Sequence, residues 1–172
     1  MDANELRALQ APLKEKYKAD SSSAMVTLKA QGDLSGDGLA CKVSTSRALI
    51  EAGLHPATGG TGLLACSGDM LLEALVACAG VTLKAVATAI DFRVKGGAVR
   101  AEGDLDFRGT LGVAKDAPVG FAEIRLFFDL ETEEPQEQID ALIKLTERYC
   151  VVFQTLNRPP KLSVTAVVGG GR

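Results

Sequence analysis

The sequence predicts an α+β fold with antiparallel strand pairing, and three observations carry that prediction. A stretch from Ser67 to about Ile90 is apolar on nearly every face of a helix. Segments of alternating apolar and polar residues lie on both sides of it. A second helical pattern runs through PQEQIDALIKLTERYCVVFQTL, residues 135 to 156. Helices and strands arranged in blocks, without a strict strand-helix alternation, define this class.

Taken in order, Asp2 and Glu5 form a capping-box pattern, and Leu6, Leu9, Leu13 and Tyr17 make a stripe at helical spacing. A helical segment over residues 1–20 follows, with Pro12 expected to break or restart it because proline lacks the interior donor. The stripe suits core or dimer packing. AMVTLKAQ (24–31) and LACKVSTS (39–46), joined by GDLSGDG, read as a hairpin. ATGGTG at 57–62 lacks the Lys-Ser/Thr ending and the GxGxxG spacing of phosphate-binding loops. Ser67 is the expected N-cap of the apolar helix, with Asp69 near its positive end. Beyond it, FRVKGGAVRAEGDLDFRG and VGFAEIRLFFDLE supply sheet strands. The second helix opens at Pro135 and carries Cys150, Pro159 and Pro160 end it, KLSVTAVV reads as a last strand, and 168–172 as a flexible tail.

At 172 residues, with no internal repeat or linker, the expectation is one domain over 1–172. A hydrophobic fraction of 47% and a charged fraction of 24% fit an ordinary globular protein. With no Trp, two Tyr, a net charge of −3 and scattered basic residues, nucleic acid is not an expected partner. The N-terminus MDANELRALQ lacks the basic and apolar regions of a signal peptide, and Glu73 and Lys84 interrupt the longest apolar stretch. A cytoplasmic protein with no membrane association is expected. A helix apolar all round must be covered on every side, which one chain of this size does poorly, so a homodimer is expected too.

Chemistry narrows to the cysteines at 41, 66, 78 and 150. Their spacing matches neither a disulfide framework nor a zinc module, so no metal or bound cofactor is expected. A cysteine on an apolar helix is most often a small core residue, and Cys41, in a strand, and Cys66, in a loop, are read that way. His55, before Pro56, reads as a surface residue.

SGDMLLEALVACAGVTLKAVA resembles the cysteine helix of the OsmC/Ohr family, in which an acidic residue precedes a Leu- and Ala-rich helix containing a buried thiol. ERYCVVFQTL resembles that family's second cysteine site, and the likeness runs from about residue 25 to 167. The resemblance implies an OsmC-like fold, with antiparallel sheets packed around a buried central cysteine helix, as an intertwined homodimer with its active site at the subunit interface. It implies a thiol peroxidase acting on organic hydroperoxides in oxidative stress defence, with a lipoyl-type or other dithiol, or a lipoylated protein, as reductant. By the same resemblance Cys78 attacks and Cys150 resolves, while Asp69 orients an arginine over the thiolate. The family draws that arginine from its early strands, and Arg47 is the nearest candidate, ranked above Arg148.

Burial of Cys78 disfavours its reactive thiolate, and a guanidinium would reverse that. A spacing of nine places Asp69 on the helix face opposite Cys78, so its role requires a bent or uncoiled helix start. A non-catalytic dimer of the same fold, binding an apolar small molecule in its interface cleft, is the alternative. An acyl-transfer enzyme using Cys78 is weaker, since no histidine lies near either cysteine in sequence.

Overall fold

The computed structural model describes residues 2–27, 31–33, 40–44 and 49–167. Helix α1 spans Ala3–Ala19 and opens with the expected capping box. Asp2 Oδ1 accepts from the N–H groups of Asn4 and Glu5, and Glu5 Oε2 accepts from Asp2 N–H, each at 2.8 Å. Pro12 does not break the helix. The carbonyl it leaves without a donor belongs to Ala8, which is exposed, so water can serve it. The apolar stripe of α1 stays open, with Leu9 at 60% and Leu13 at 47% exposure.

Strands β1 (Gln31–Asp33) and β2 (Ala40–Ser44) pair antiparallel, so the hairpin forms with its first strand later than the alternation suggests. Residues 25–27 carry no strand, and the rest of the predicted first strand and its turn fall outside the described residues. Strand β3 (Leu49–Gly53), which the pattern did not single out, extends the sheet antiparallel to β2. Strand β4 (Ala65–Cys66) joins β3 in parallel, the one departure from antiparallel pairing among the described strands.

That short strand runs directly into helix α2, Ser67–Ala89. Its N-cap is Cys66 rather than Ser67, because pairing of Cys66 with Gly53 holds its backbone extended. At the far end Asp91 takes a left-handed conformation (φ 59°), and Phe92 N–H returns to the Ala87 carbonyl at 2.8 Å. This reversal closes the helix and folds Phe92 into the core beside Leu83, Val86 and Ala87. By length and composition α2 could cross a membrane, despite Glu73 and Lys84. Here it packs on other elements instead.

Strands β5 (Gly96–Leu105) and β6 (Phe121–Glu131) form a two-stranded antiparallel sheet with an irregularity at Asp104/Leu105. The connection between them includes a single helical turn, α3 (Phe107–Thr110). Alternation turns Val99, Ala101, Ile124, Leu126 and Phe128 toward α2. Arg100, Asp129, Asp104 and Arg125 lie on the other face, joined in ion pairs. Helix α4 (Gln136–Tyr149) starts after Pro135 as expected, and α5 (Val151–Asn157) follows it.

The final strand does not form. Residues 161–167 have no regular structure, and Leu162, Val164 and Val167 are 82%, 96% and 90% exposed. An extended segment needs a sheet edge to pair with, and no described strand takes it up.

Candidate active site

Helix α2 sorts its apolar residues onto two faces. Leu75, Ala79, Leu83, Val86 and Ala87 are buried, packed in two clusters against α4, α5 and the β5–β6 sheet. Ala74, Ala77, Val81 and Ala85 are exposed, Val81 by 72%. At about 100° per residue these four share one stripe, and Cys78 falls on the seam between stripe and buried face. Cys78 is accordingly half-buried.

The second thiol arrives by a break in the chain. The sequence pattern put Cys150 within a long helix, but its backbone is extended (φ −72°, ψ 110°), ending α4 and starting α5. Cys150 N–H still closes on the Thr146 carbonyl, its own carbonyl accepts from Gln154 N–H, and Gln154 Nε2 reaches back to the Glu147 carbonyl at 2.8 Å. The break therefore leaves few backbone groups without partners. It also turns Val152, Phe153 and Leu156 onto the cluster that holds Leu75 and Ala79. Cys150 lies in that cluster, 1% exposed, with Cys78 packed against it.

The two sulfurs interact, and both are free thiols. Burial opposes ionisation of Cys78. It is outweighed by the donors grouped around the sulfur, namely Val152 N–H, the Cys150 thiol, Val151 N–H and the Thr82 hydroxyl, which hold its pKa below the ordinary thiol value of 9.0. At Cys150 burial, joined by the neighbouring Cys78, outweighs the N–H groups of Phe153 and Val152 and pushes the thiol up. One sulfur is thus biased to be the anion and the other to keep its proton. Neither the α5 donors nor Thr82 was singled out from sequence. Thr82 could have been, since it follows Cys78 by four residues and a helix places those side chains together. The donors of α5 could not, because no glycine or proline marks the break.

The other nominated residues lie elsewhere or outside the described chain. Asp69 sits in a helix that is regular from Ser67 onward, so the bent start its role required is not formed. Nine residues of helix separate it from Cys78 by about 13 Å of rise. Its surroundings are a cavity of about 350 Å³ lined with His55, Cys66, Asp104, Phe107 and Phe121. His55 is held there, its ring stacked on Phe107 at 4.8 Å and its Nδ1 accepting from Ala57 N–H at 3.0 Å. Arg47 lies outside the described residues, as does the side chain of Cys41. Arg148 is directed at the Tyr149 ring, 5.4 Å from its centroid. No cation contributes to the low pKa of Cys78 among the described residues. Beside the exposed stripe, an open groove of about 670 Å³ is lined by Ala77, Val81, Val94 and Leu130, with Lys84 and Lys95. Among the described residues no group of His, Cys, Asp and Glu could hold a metal ion.

An α+β chain presenting two unlike thiols in contact, one on a long apolar helix and one at a helix break, is a dithiol protein by construction. Residues 60–165, more than half of it, match the family profile of OsmC-like proteins, and the chain belongs to that family. Solved structures agree at the level of fold. An OsmC-like protein from Mycoplasma pneumoniae superposes with a TM-score of 0.65 at 17% identity, covering 78% of this chain and 89% of that chain. The organic hydroperoxide resistance protein OsmC of Legionella pneumophila gives 0.61 at 15% identity, covering 78% and 93%. The organic hydroperoxide resistance protein OhrB of Bacillus subtilis gives 0.52 at 16%, again covering 78% and 93%. No curated protein sequence matches this one significantly.

Proposed function

We propose that this protein is a cysteine-based thiol peroxidase that reduces organic hydroperoxides as part of oxidative stress defence, with Cys78 attacking and Cys150 resolving. The observation that carries the reading is the contact between two free thiols whose pKa values are displaced in opposite directions. The Legionella and Bacillus proteins of this fold are organic hydroperoxide resistance proteins, which supports the same chemistry.

In the first step the Cys78 thiolate attacks one peroxide oxygen and the O–O bond breaks. The alcohol leaves with a proton, and Cys78 is oxidised to the sulfenic acid. In the second step the Cys150 sulfur attacks the sulfenic sulfur, water departs, and a Cys78–Cys150 disulfide forms. A dithiol of lipoyl type, free or on a lipoylated protein, then exchanges with that disulfide and restores both thiols. No bound cofactor enters. Leu75, Val152, Phe153 and Leu156 pack around the sulfurs, an apolar setting that favours an alkyl hydroperoxide over hydrogen peroxide. Reduced thiols of this kind suit a cytoplasmic compartment.

The working form in this reading is an intertwined homodimer. Its support is the bare stripe on α2 and the exposed segment 161–167, which pairs with no described strand. Cys78 at the edge of that stripe would then face the subunit interface. Asp69 and Arg47 enter the proposal there as the carboxylate and guanidinium that complete the site, Asp69 acting from the second subunit because it lies too far along its own helix. The groove beside the stripe favours one second reading, a non-catalytic dimer that binds an apolar small molecule. The two separate on turnover. The peroxidase consumes tert-butyl hydroperoxide catalytically with dihydrolipoamide and more slowly with glutathione. A binding protein consumes none with either.

A further inference from the structure

A helix that stops without glycine or proline needs some other device to hold the stop. At the α4–α5 junction two backbone hydrogen bonds involve Cys150 among the described residues, its N–H to the Thr146 carbonyl and the Gln154 N–H to its own carbonyl, both at 2.9 Å. An unbroken helix would next pass Val151 N–H to the Glu147 carbonyl. That carbonyl instead accepts the side-chain amide of Gln154, with Nε2 at 2.8 Å. A glutamine amide carries two N–H donors, so it can stand in for the backbone N–H. Gln154 is half-buried, which reduces competition from water. The bond spans seven residues. In a straight helix seven residues rise about 10 Å, too far for it. It therefore exists only in the broken form, and its free energy favours the break over a continuous α4–α5 helix.

The break decides where Cys150 goes. Its extended backbone (φ −72°, ψ 110°) leaves it in the cluster of Leu75 and Ala79, 1% exposed, with Cys78 packed against that cluster. We infer that Gln154 is a positioning residue of the thiol pair: its amide takes the Glu147 carbonyl that Val151 N–H would hold in a continuous helix, and so keeps Cys150 beside Cys78. The use of that contact in turnover rests on the peroxidase reading, but the contact can be measured without any hydroperoxide. A Cys78–Cys150 disulfide requires the break, whereas a reduced chain lacking the Gln154 bond can relax toward the continuous helix. Loss of the bond therefore weakens the disulfide relative to the dithiol.

The test equilibrates full-length wild type, Gln154→Leu and Gln154→Lys with mixtures of reduced and oxidised glutathione, quenches with acid, and quantifies the Cys78–Cys150 bond by peptide mass. Each bond formed converts one oxidised glutathione into two thiols, so the midpoint reports how closely the fold holds the two cysteines together. Leucine keeps similar bulk and helix propensity but has no donor, and lysine keeps a donor long enough to reach a carbonyl at a helix end. Gln154→Leu is expected to lower the equilibrium constant for the disulfide by about fivefold, as loss of one hydrogen bond requires, with Gln154→Lys within about twofold of wild type. An unchanged midpoint in folded Gln154→Leu overturns the inference. So does a lysine variant as weak as the leucine one, or a wild type that forms no Cys78–Cys150 bond. If Gln154→Leu does not fold, Gln154→Met is read by the same criteria. Failure of the peroxidase reading would show differently, as wild-type thiols that withstand tert-butyl hydroperoxide while glutathione still joins them in a Gln154-dependent equilibrium.

Discussion

The middle of α2 and the junction of α4 and α5 each offer one cysteine to the same apolar cluster, yet they treat the sulfur in opposite ways. Cys78 is half-buried among donors and has its pKa lowered, while Cys150 is almost fully buried and has its pKa raised. Burial alone raises both. The new helix start presents N–H groups to both sulfurs, Val152 and Val151 at Cys78 and Phe153 and Val152 at Cys150, so the difference comes from the deeper burial of Cys150 and from the contact between the thiols, which favours the anion at Cys78 and opposes it at Cys150.

Replacing each sulfur in turn challenges that asymmetry most strongly. Cys78→Ser is expected to lower hydroperoxide turnover by roughly 1,000-fold or to background, since the nucleophile is gone. Cys150→Ser should still consume one equivalent of peroxide and then stall as a sulfenic acid, detectable by dimedone labelling. Equal behaviour of the two variants would erase the distinction between attacking and resolving thiols.

A charge on the open side of Cys78 probes the missing wall. Val81 is 72% exposed, so Val81→Glu should leave the subunit folded. Sedimentation should show the wild type as a dimer and the variant mostly as a monomer, with turnover falling in parallel. A wild type that sediments as a monomer at working concentrations would count against an interface site.

The ionisation order is sharpened by alkylation of the wild type across pH. Because the Cys78 pKa is lowered and that of Cys150 raised, Cys78 should become reactive first as pH rises, below the ordinary value of 9.0, and Cys150 only above it. Reversed order would contradict the donor argument. The smallest effect belongs to Arg47→Ala, with an expected loss of about tenfold in rate if a guanidinium adds to the donors already around the sulfur. An unchanged rate would leave the activation to α5 and Thr82.

Sequence pattern carried those parts of the molecule that local chemistry determines. The capping box at Asp2 and Glu5, the apolar run of α2 and Pro135 at the start of α4 are written in adjacent residues, and each forms where expected. The cysteine pair was named from a resemblance, and the fold brings it together. What escaped was decided by tertiary packing. Cys150 breaks a helix without glycine or proline because Val152, Phe153 and Leu156 gain burial by turning toward α2. Pro12 is absorbed because its surroundings are open to water, and residues 161–167 of the KLSVTAVV alternation pair with no described strand. Asp69 illustrates the same limit, since its distance from Cys78 depends on α2 being regular from its first residue.

The most direct measurement mixes the fully reduced protein with one equivalent of tert-butyl hydroperoxide and maps the product by peptide mass. A Cys78–Cys150 disulfide, formed with loss of two free thiols per chain and with Cys66 left reduced, is the predicted result. Intact thiols at both positions, or a bond that excludes Cys78, would contradict the account.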